Sequence, residues 1–302
     1  VIKKSPAFAG LFNRDGKNTM KAYKLPFLLI TAFFTTEVYS QISKELATEV
    51  FNTNNTRQLL GRPTQLQNDL IESLFPYGSL SNKKRGQLFN KIKTITQPSR
   101  LNNKIIEKLA VALTQQEAKS LISWANSTLG KQLLLEQEFL NYPNAQATWS
   151  KRMSALAKDR KKVDEADKVN QLTISTDNTY IQALYSVLTT KGLKSIHSRP
   201  NITPKHFSAL QDWVVEKYGE DLGQNSYDGS LAMTLFRIRN LKTDEINRYI
   251  SHLKTGSSIK YFEAIYSSLE EVLLHEIAPE IFTLNYETYP TINPAYRIQV
   301  DE

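Results

Sequence analysis

The chain has 302 residues and a mass of 34.5 kDa, enough to bury a sizeable core and to form two domains of ordinary size. Hydrophobic residues make up 40% and charged residues 23%, which excludes intrinsic disorder, and the 11 Gly and 11 Pro are few enough to favour long helices over loop-rich β folds. Cysteine is absent, which excludes a disulfide framework, thiolate metal sites and a cysteine nucleophile, and the formal net charge is +8.

Residues 1–19 carry no amphipathic period, and Asp15-Gly16-Lys17 corresponds to a purine-rich ribosome-binding sequence just ahead of Met20, so this segment reads as upstream frame. From Met20 the layout is that of a secretory signal: basic Lys21 and Lys24, an apolar stretch from Leu25 to Phe34, then Val38 and Ser40 at small-residue cleavage positions. The stretch is too short to span a bilayer and no later run is long enough to, so no transmembrane segment is expected. The mature chain is expected to begin at Gln41, exported and periplasmic. Residues 1–40 hold six basic against two acidic residues, so half of the +8 charge leaves with them.

After Gln41 almost every segment has a helical period. Leu66, Leu70, Ile71 and Leu74 form one stripe behind Pro63, followed by Leu88, Phe89, Ile92 and Ile95, and then by Ile105, Ile106 and Leu109. Tyr142-Pro143-Asn144 closes a first helical lobe at 41–145. A charged helix and linker occupy 146–179, ending in an extended connector over Gln171–Thr176. Seven basic against four acidic residues lie in 151–168. Lys158, Arg160, Lys161 and Lys162 there read either as a solvated helix face or as a docking strip for an acidic partner or an anionic lipid surface. With no stacking aromatics among them, nucleic-acid binding is not expected. The second lobe, 180–282, starts a helix at Thr203-Pro204 and carries stripes through Phe207, Leu210, Val214 and Tyr218, then Leu231, Leu235 and Ile238, then Phe262, Tyr266, Leu269, Leu273 and Ile277. The tail, 283–302, has no period and reads as an extended segment, either a strap docked on the body or a mobile partner-binding segment. The fold class is therefore all-α: two helical lobes joined by a long charged helix.

Within the first lobe Thr114 and Glu117 have capping-box spacing. Leu113, Leu121 and Trp124 put apolar groups on one helix face, Ser127 is placed to cap the next helix, and Gly130 allows a close helix–helix approach near that turn. The run Leu113-Thr114-x-x-Glu117, then Trp124, then Ser127-x-x-Gly130-Lys131 resembles the motif of a bacterial family of exported helical proteins defined as a domain of unknown function. Thr128 stands where that family usually has proline, and Ala125 where a second aromatic is common. The resemblance implies an exported all-α protein and carries no catalytic positions. Structurally the motif is a helix–turn–helix clamp; the alternative is a pocket under the turn formed by Trp124 and Glu117.

An echo of this run lies 128 residues on, where Leu241, Glu245, Ile250 and Ser251 repeat Leu113, Glu117, Ile122 and Ser123. Two copies of one helical unit are the expectation. Lys242 replaces Thr114 and offers no acceptor, so Asn240 or Thr243 is expected to cap and shift the helix start.

Catalytic signatures are missing. His197, His206, His252 and His275 lack zinc spacing, and no nucleophile elbow or phosphate loop is present, so no metal or cofactor is expected. Asp244-Glu245 and Glu270-Glu271 are neighbours that point apart on a helix. Arg237 and Arg239, near Glu245, read as surface ion pairs, with an anion site as the alternative. The functional reading is a non-catalytic envelope module that binds or assembles a protein or peptide partner in a groove between the lobes, with a periplasmic hydrolase whose site is scattered in sequence as the alternative.

Overall fold

A computed structural model describes residues 41–56, 82–139, 153, 155–173, 175–198 and 207–288. The signal segment, the Leu66–Leu74 helix with Pro63, Leu140, the Pro143 break, the Thr203-Pro204 start, His206 and the tail beyond Thr288 lie outside the described residues. Among the described residues every regular element is a helix, and the fold is all-α.

The helices follow in order as α1 (Lys44–Thr53), α2 (Asn82–Ile95), α3 (Pro98–Ala112), α4 (Gln115–Asn126) and α5 (Thr128–Phe139). Next come α6 (Arg160–Leu172), α7 (Ser175–Ser198), α8 (Phe207–Arg237), α9 (Thr243–Leu253) and α10 (Gly256–Leu269). A π-helical stretch, Glu270–Ile277, leads into α11 (Ala278–Thr288). Starts follow local chemistry. Ser43 accepts the Leu46 amide at 3.2 Å, Pro98 sits in the first turn of α3, and Asp159 accepts the Lys162 amide at 3.1 Å.

Three sequence expectations change. Of the expected Gln171–Thr176 connector, Gln171 and Leu172 end α6, Thr173 bends, and Ser175 and Thr176 begin α7, because Asn170, Thr173 and Thr176 turn inward. The Asn170 amide donates to Thr176 at 3.0 Å and to Ser230 of α8 at 3.1 Å, and the Thr234 hydroxyl donates to Asn170 at 3.2 Å. The alternation thus reflects buried hydrogen-bonding positions rather than a strand. The tail's first six residues, 283–288, extend α11, and Thr283 bonds back to the Pro279 carbonyl at 3.0 Å. In α10 the buried stripe is Tyr261, Ile265 and Leu269, with Phe262 and Tyr266 only half-buried.

The buried side chains gather in two clusters, and neither is confined to one half of the chain. The first joins α1, α2, α3 and α4 to α7, the start of α8, α10, the π stretch and α11; Leu109, Leu121, Leu188, Ile265 and Ile281 are among its members. The second joins Leu129 and Leu133 of α5, Met153 and Val169 to Leu235, Phe236, Ile246 and Leu253 of α8 and α9. The expected lobe boundary therefore runs through both cores.

The repeat is laid out in register. At the offset of 128 residues α4 and α9 start at equivalent positions, Gln115 and Thr243, as do α5 and α10, at Thr128 and Gly256. Burial matches too: Leu113 with Leu241, Ala118 with Ile246, Leu121 with Tyr249, Ala125 with Leu253, and Leu133 with Tyr261 are all buried. Flanking helices extend the correspondence, since α1 packs on α3 and α4 while α6 packs on α8 and α9. The units then exchange second helices. Residues of α10 join the core that holds α4, and residues of α5 join the core that holds α9. At their junction Trp124 stacks on His252, its own equivalent, with ring centroids 4.1 Å apart and planes 15° apart. Equivalent residues that touch each other, with reciprocal exchange on either side, place a local two-fold relation between the units.

Candidate functional site

Apart from Lys131, the motif residues are engaged in the helix–turn–helix or its packing. The Thr114 amide donates to Glu117 Oε2 at 2.8 Å and the Glu117 amide donates to Thr114 Oγ1 at 3.3 Å, a complete capping box. Burial pushes the Glu117 carboxyl up, but the Lys260 ammonium and the Thr114 amide and hydroxyl outweigh it and hold it below the ordinary carboxylate range. Lys260 Nζ lies 2.8 and 3.0 Å from its two oxygens. Ser127 accepts the Gly130 amide at 3.1 Å and donates to the Trp124 carbonyl at 2.6 Å, tying the end of α4 to the start of α5. A Cβ on Gly130 would overlap that same carbonyl, so the close approach expected of Gly130 is present. Leu113 is buried and Lys131 is exposed. Trp124 and Glu117 are committed to His252 and Lys260 rather than framing a pocket under the turn.

In the second unit Glu245 accepts the Lys242 amide at 2.8 Å. Lys242 is itself the capping residue and gives no side-chain bond. The start is not shifted; the helix keeps its register with half a box, because tertiary packing of Ile246, Tyr249 and Leu253 fixes its position. Thr255 replaces Ser127, accepting the Ser258 amide at 3.3 Å and donating to the His252 carbonyl at 2.8 Å.

His252 Nε2 lies 3.2 Å from Ser258 Oγ. Ser258 is buried, its hydroxyl accepts from Thr255 at 3.0 Å, and burial lowers the His252 pKa to about 4. A base that weak does not activate a hydroxyl near neutral pH.

Of the four basic residues of the charged helix, Lys158, Arg160 and Lys161 are exposed. Lys162 turns inward and donates to the Leu241 carbonyl at 2.6 Å, which removes it from the strip. Arg237 and Arg239 are not surface pairs with Glu245. Both sit in the buried corner between α8 and α9, and Arg239 pairs with Glu136 of α5 at 2.7 Å.

A groove of about 630 Å³ lies between α3 and α10. Val111, Ala112 and Ala264 form its apolar floor, and Lys108, Lys260 and Glu263 edge it. Val111 is 61% exposed. At the equivalent place in the other unit, Arg239 stands for Val111, Asn240 for Ala112 and Glu136 for Ala264. There the Arg239–Glu136 ion pair and the Asn240 amide, 3.0 Å from Glu136, span the space. The smaller depression beside them, about 420 Å³, is lined in part by Leu135, 66% exposed. Sequence reading passed over Val111 and Lys260. Val111 stands out only against Arg239 at the repeat offset, and Lys260 meets Glu117 from 143 residues away.

No family model, curated protein or solved structure matches the chain. No described helix is long and apolar enough to cross a membrane.

Proposed function

We propose that this is an exported, periplasmic, non-catalytic helical module that binds or assembles a protein or peptide partner, and that the partner seats in the groove between α3 and α10. The observation that carries the reading is the difference between the two units. One closes the space between its helices with an ion pair, while the other leaves an apolar floor of Val111, Ala112 and Ala264 open between charged edges. Apolar floor and polar rim are the composition of a protein interface. The motif's resemblance to exported helical proteins and the signal layout from Met20 support the location. The commitment of Glu117, Trp124 and Ser127 to caps, stacking and ion pairing supports a structural role for the motif.

Site-specific photocrosslinking tests the groove. A crosslinker at Val111 is expected to capture a discrete protein or peptide adduct in envelope fractions, and one at Val215, an exposed residue of α8, is expected not to. Equal capture at both positions, or none at Val111, overturns the assignment. Purification of the native protein with Gln41 at its amino terminus tests export.

A further inference from the structure

The walls of the groove between α3 and α10 differ in which of their charges are already spent. Lys104 and Lys108 both pair with Glu271, and Lys260 pairs with Glu117. The two carboxylates of the lining, Glu107 on α3 and Glu263 on α10, are exposed and make no ion pair among the described residues. Glu107 acts on Lys104 only as a weaker influence behind Glu271 and Glu276. The imbalance survives a wider count. Over α3, α10 and the π stretch, together with Glu117 and Glu280 that pair with them, four cations face seven carboxylates. Lys119 of α4 and Lys254 ahead of α10 raise the cations to six and leave the balance negative.

The other unit shows that these carboxylates go with the open floor. At the offset of 128 residues Leu235 stands for Glu107 and Leu135 for Glu263, so the acidic walls are gone where Arg239 and Glu136 close the space. The shape points to a helix as the occupant. The two walls run antiparallel, since Arg100 meets Glu276 and Glu280 while Lys108 meets Glu271. The lining runs along α3 from Lys104 to Val111, a length of about 10 Å or two helical turns. Among the described residues no strand offers an edge for an extended chain.

Building on the reading of this groove as a partner site, we propose that it takes an amphipathic helical segment of a partner protein with basic flanks. The apolar stripe of that helix lies on Val111, Ala112 and Ala264, as in other helix-in-groove complexes. Its Lys or Arg residues, one on either side of the stripe, meet Glu107 and Glu263. Free carboxylates on both walls favour such flanks and repel acidic ones.

Fluorescence anisotropy with the full chain tests this. The probes are three labelled alanine-rich helical peptides that share one leucine stripe and carry lysine, glutamine or glutamate on both flanks. The lysine peptide is expected to bind roughly tenfold more tightly than the glutamine peptide, and the glutamate peptide more weakly than either. The positive charge of the chain as a whole would produce the reverse order, so non-specific attraction does not mimic the result. Glu107→Lys combined with Glu263→Lys is expected to reverse the preference. Val111→Arg combined with Ala264→Glu, which installs the ion pair of the other unit, is expected to abolish binding of all three. Val111→Glu, at an exposed position, preserves the test if that double variant fails to fold. Equal affinities, tighter binding of the glutamate peptide, or an order that charge reversal leaves unchanged overturns the basic flanks and leaves the groove as a partner site. Absence of binding overturns the helical occupant; the partner site itself survives if the Val111 crosslinker still captures a discrete adduct and falls with it if not. Peptide binding that Val111→Glu does not weaken lies elsewhere on the molecule and overturns the proposal. Self-association of the full chain in sedimentation velocity that Val111→Glu breaks assigns the groove to a second copy and overturns it as well.

Discussion

Position 114 and its equivalent, 242, isolate what one hydroxyl contributes. Thr114 completes a capping box and Lys242 leaves the same helix start with half of one. Thr114→Ala is expected to destabilise by about 1 kcal/mol, while Lys242→Thr, which supplies the missing acceptor, is expected to stabilise by about 0.5–1 kcal/mol in urea unfolding. The glycines make a second contrast. Gly86 lies in α2 with open space where a Cβ would go, so Gly86→Ala is expected to stabilise by about 0.5–1 kcal/mol. Gly130 presses against the Trp124 carbonyl, so Gly130→Ala forces α4 and α5 apart at a cost of about 1–3 kcal/mol. Opposite signs for one substitution in one protein are the measurement to make.

Elements depend on register, and the π stretch sets the register of the molecule's last turn. Arg100, Lys104 and Lys108 follow one another at four-residue steps along α3; Arg100 pairs with Glu276 and Glu280, and Lys104 and Lys108 both pair with Glu271. Glu271 and Glu276 are five apart, one step of a π ladder, and this wider turn keeps both on the face toward α3. It also buries Val272, Leu273 and Leu274 consecutively. Deleting exposed His275 removes the extra residue that the wider turn holds, so the stretch closes as an α-helix with Ile277, Ile281 and Phe282 still facing the core. The deletion is therefore expected to be tolerated, whereas one residue inserted within α11 just after Ala278 rotates Ile281 and Phe282 by about 100° out of the core and is expected to lower Tm steeply. The carboxylates alone contribute little: Glu271→Gln is expected to cost less than about 1 kcal/mol, since the pair is partly solvated.

This ladder also marks where sequence reading stops. The caps at Thr114 and Ser127, the helix starts and the offset of 128 are local or periodic features, and a pattern of side chains reports them directly. The stripe through Phe262 and Tyr266 assumes 3.6 residues per turn throughout and so drifts from Tyr261 and Ile265, because the backbone widens further on. Which helices share a core is a long-range matter. Nothing near Glu117 announces Lys260, and nothing in the basic run announces that Lys162 turns toward Leu241. Arg237 is misread for the same reason: it is buried at the end of α8, and nothing next to it in sequence announces that.

Acid exposes how the whole molecule is joined. His252, at the junction of the two units, is kept neutral by burial with a pKa of about 4 against 6.5 for the free side chain. Between those values the unfolded chain takes up a proton that the folded chain refuses. Stability therefore falls as pH drops from 6.5 to about 4 and is untouched by this group above 6.5. Glu117 and Glu271, both held below the ordinary carboxylate range, extend the loss at lower pH. The urea midpoint is expected to be lower at pH 5 than at pH 7, and His252→Phe, which retains a ring against Trp124, is expected to flatten that difference. An unchanged slope in the variant assigns the acid sensitivity elsewhere.

The interleaving of the two cores has a consequence for how the chain is made. Thr56 and Tyr261 share a hydrogen bond of 2.7 Å across 205 residues of sequence, and the core that contains α1 is closed by Ile281 and Phe282. A nascent chain leaving the ribosome has no way to complete that core until Phe282 has emerged, because the surfaces that cover α1, α3 and α4 come from α10, the π stretch and α11. Local helices form early, and the tertiary structure waits. A ribosome stalled short of residue 260 is therefore expected to hold a chain in which α1, α3 and α4 have no completed core to pack into.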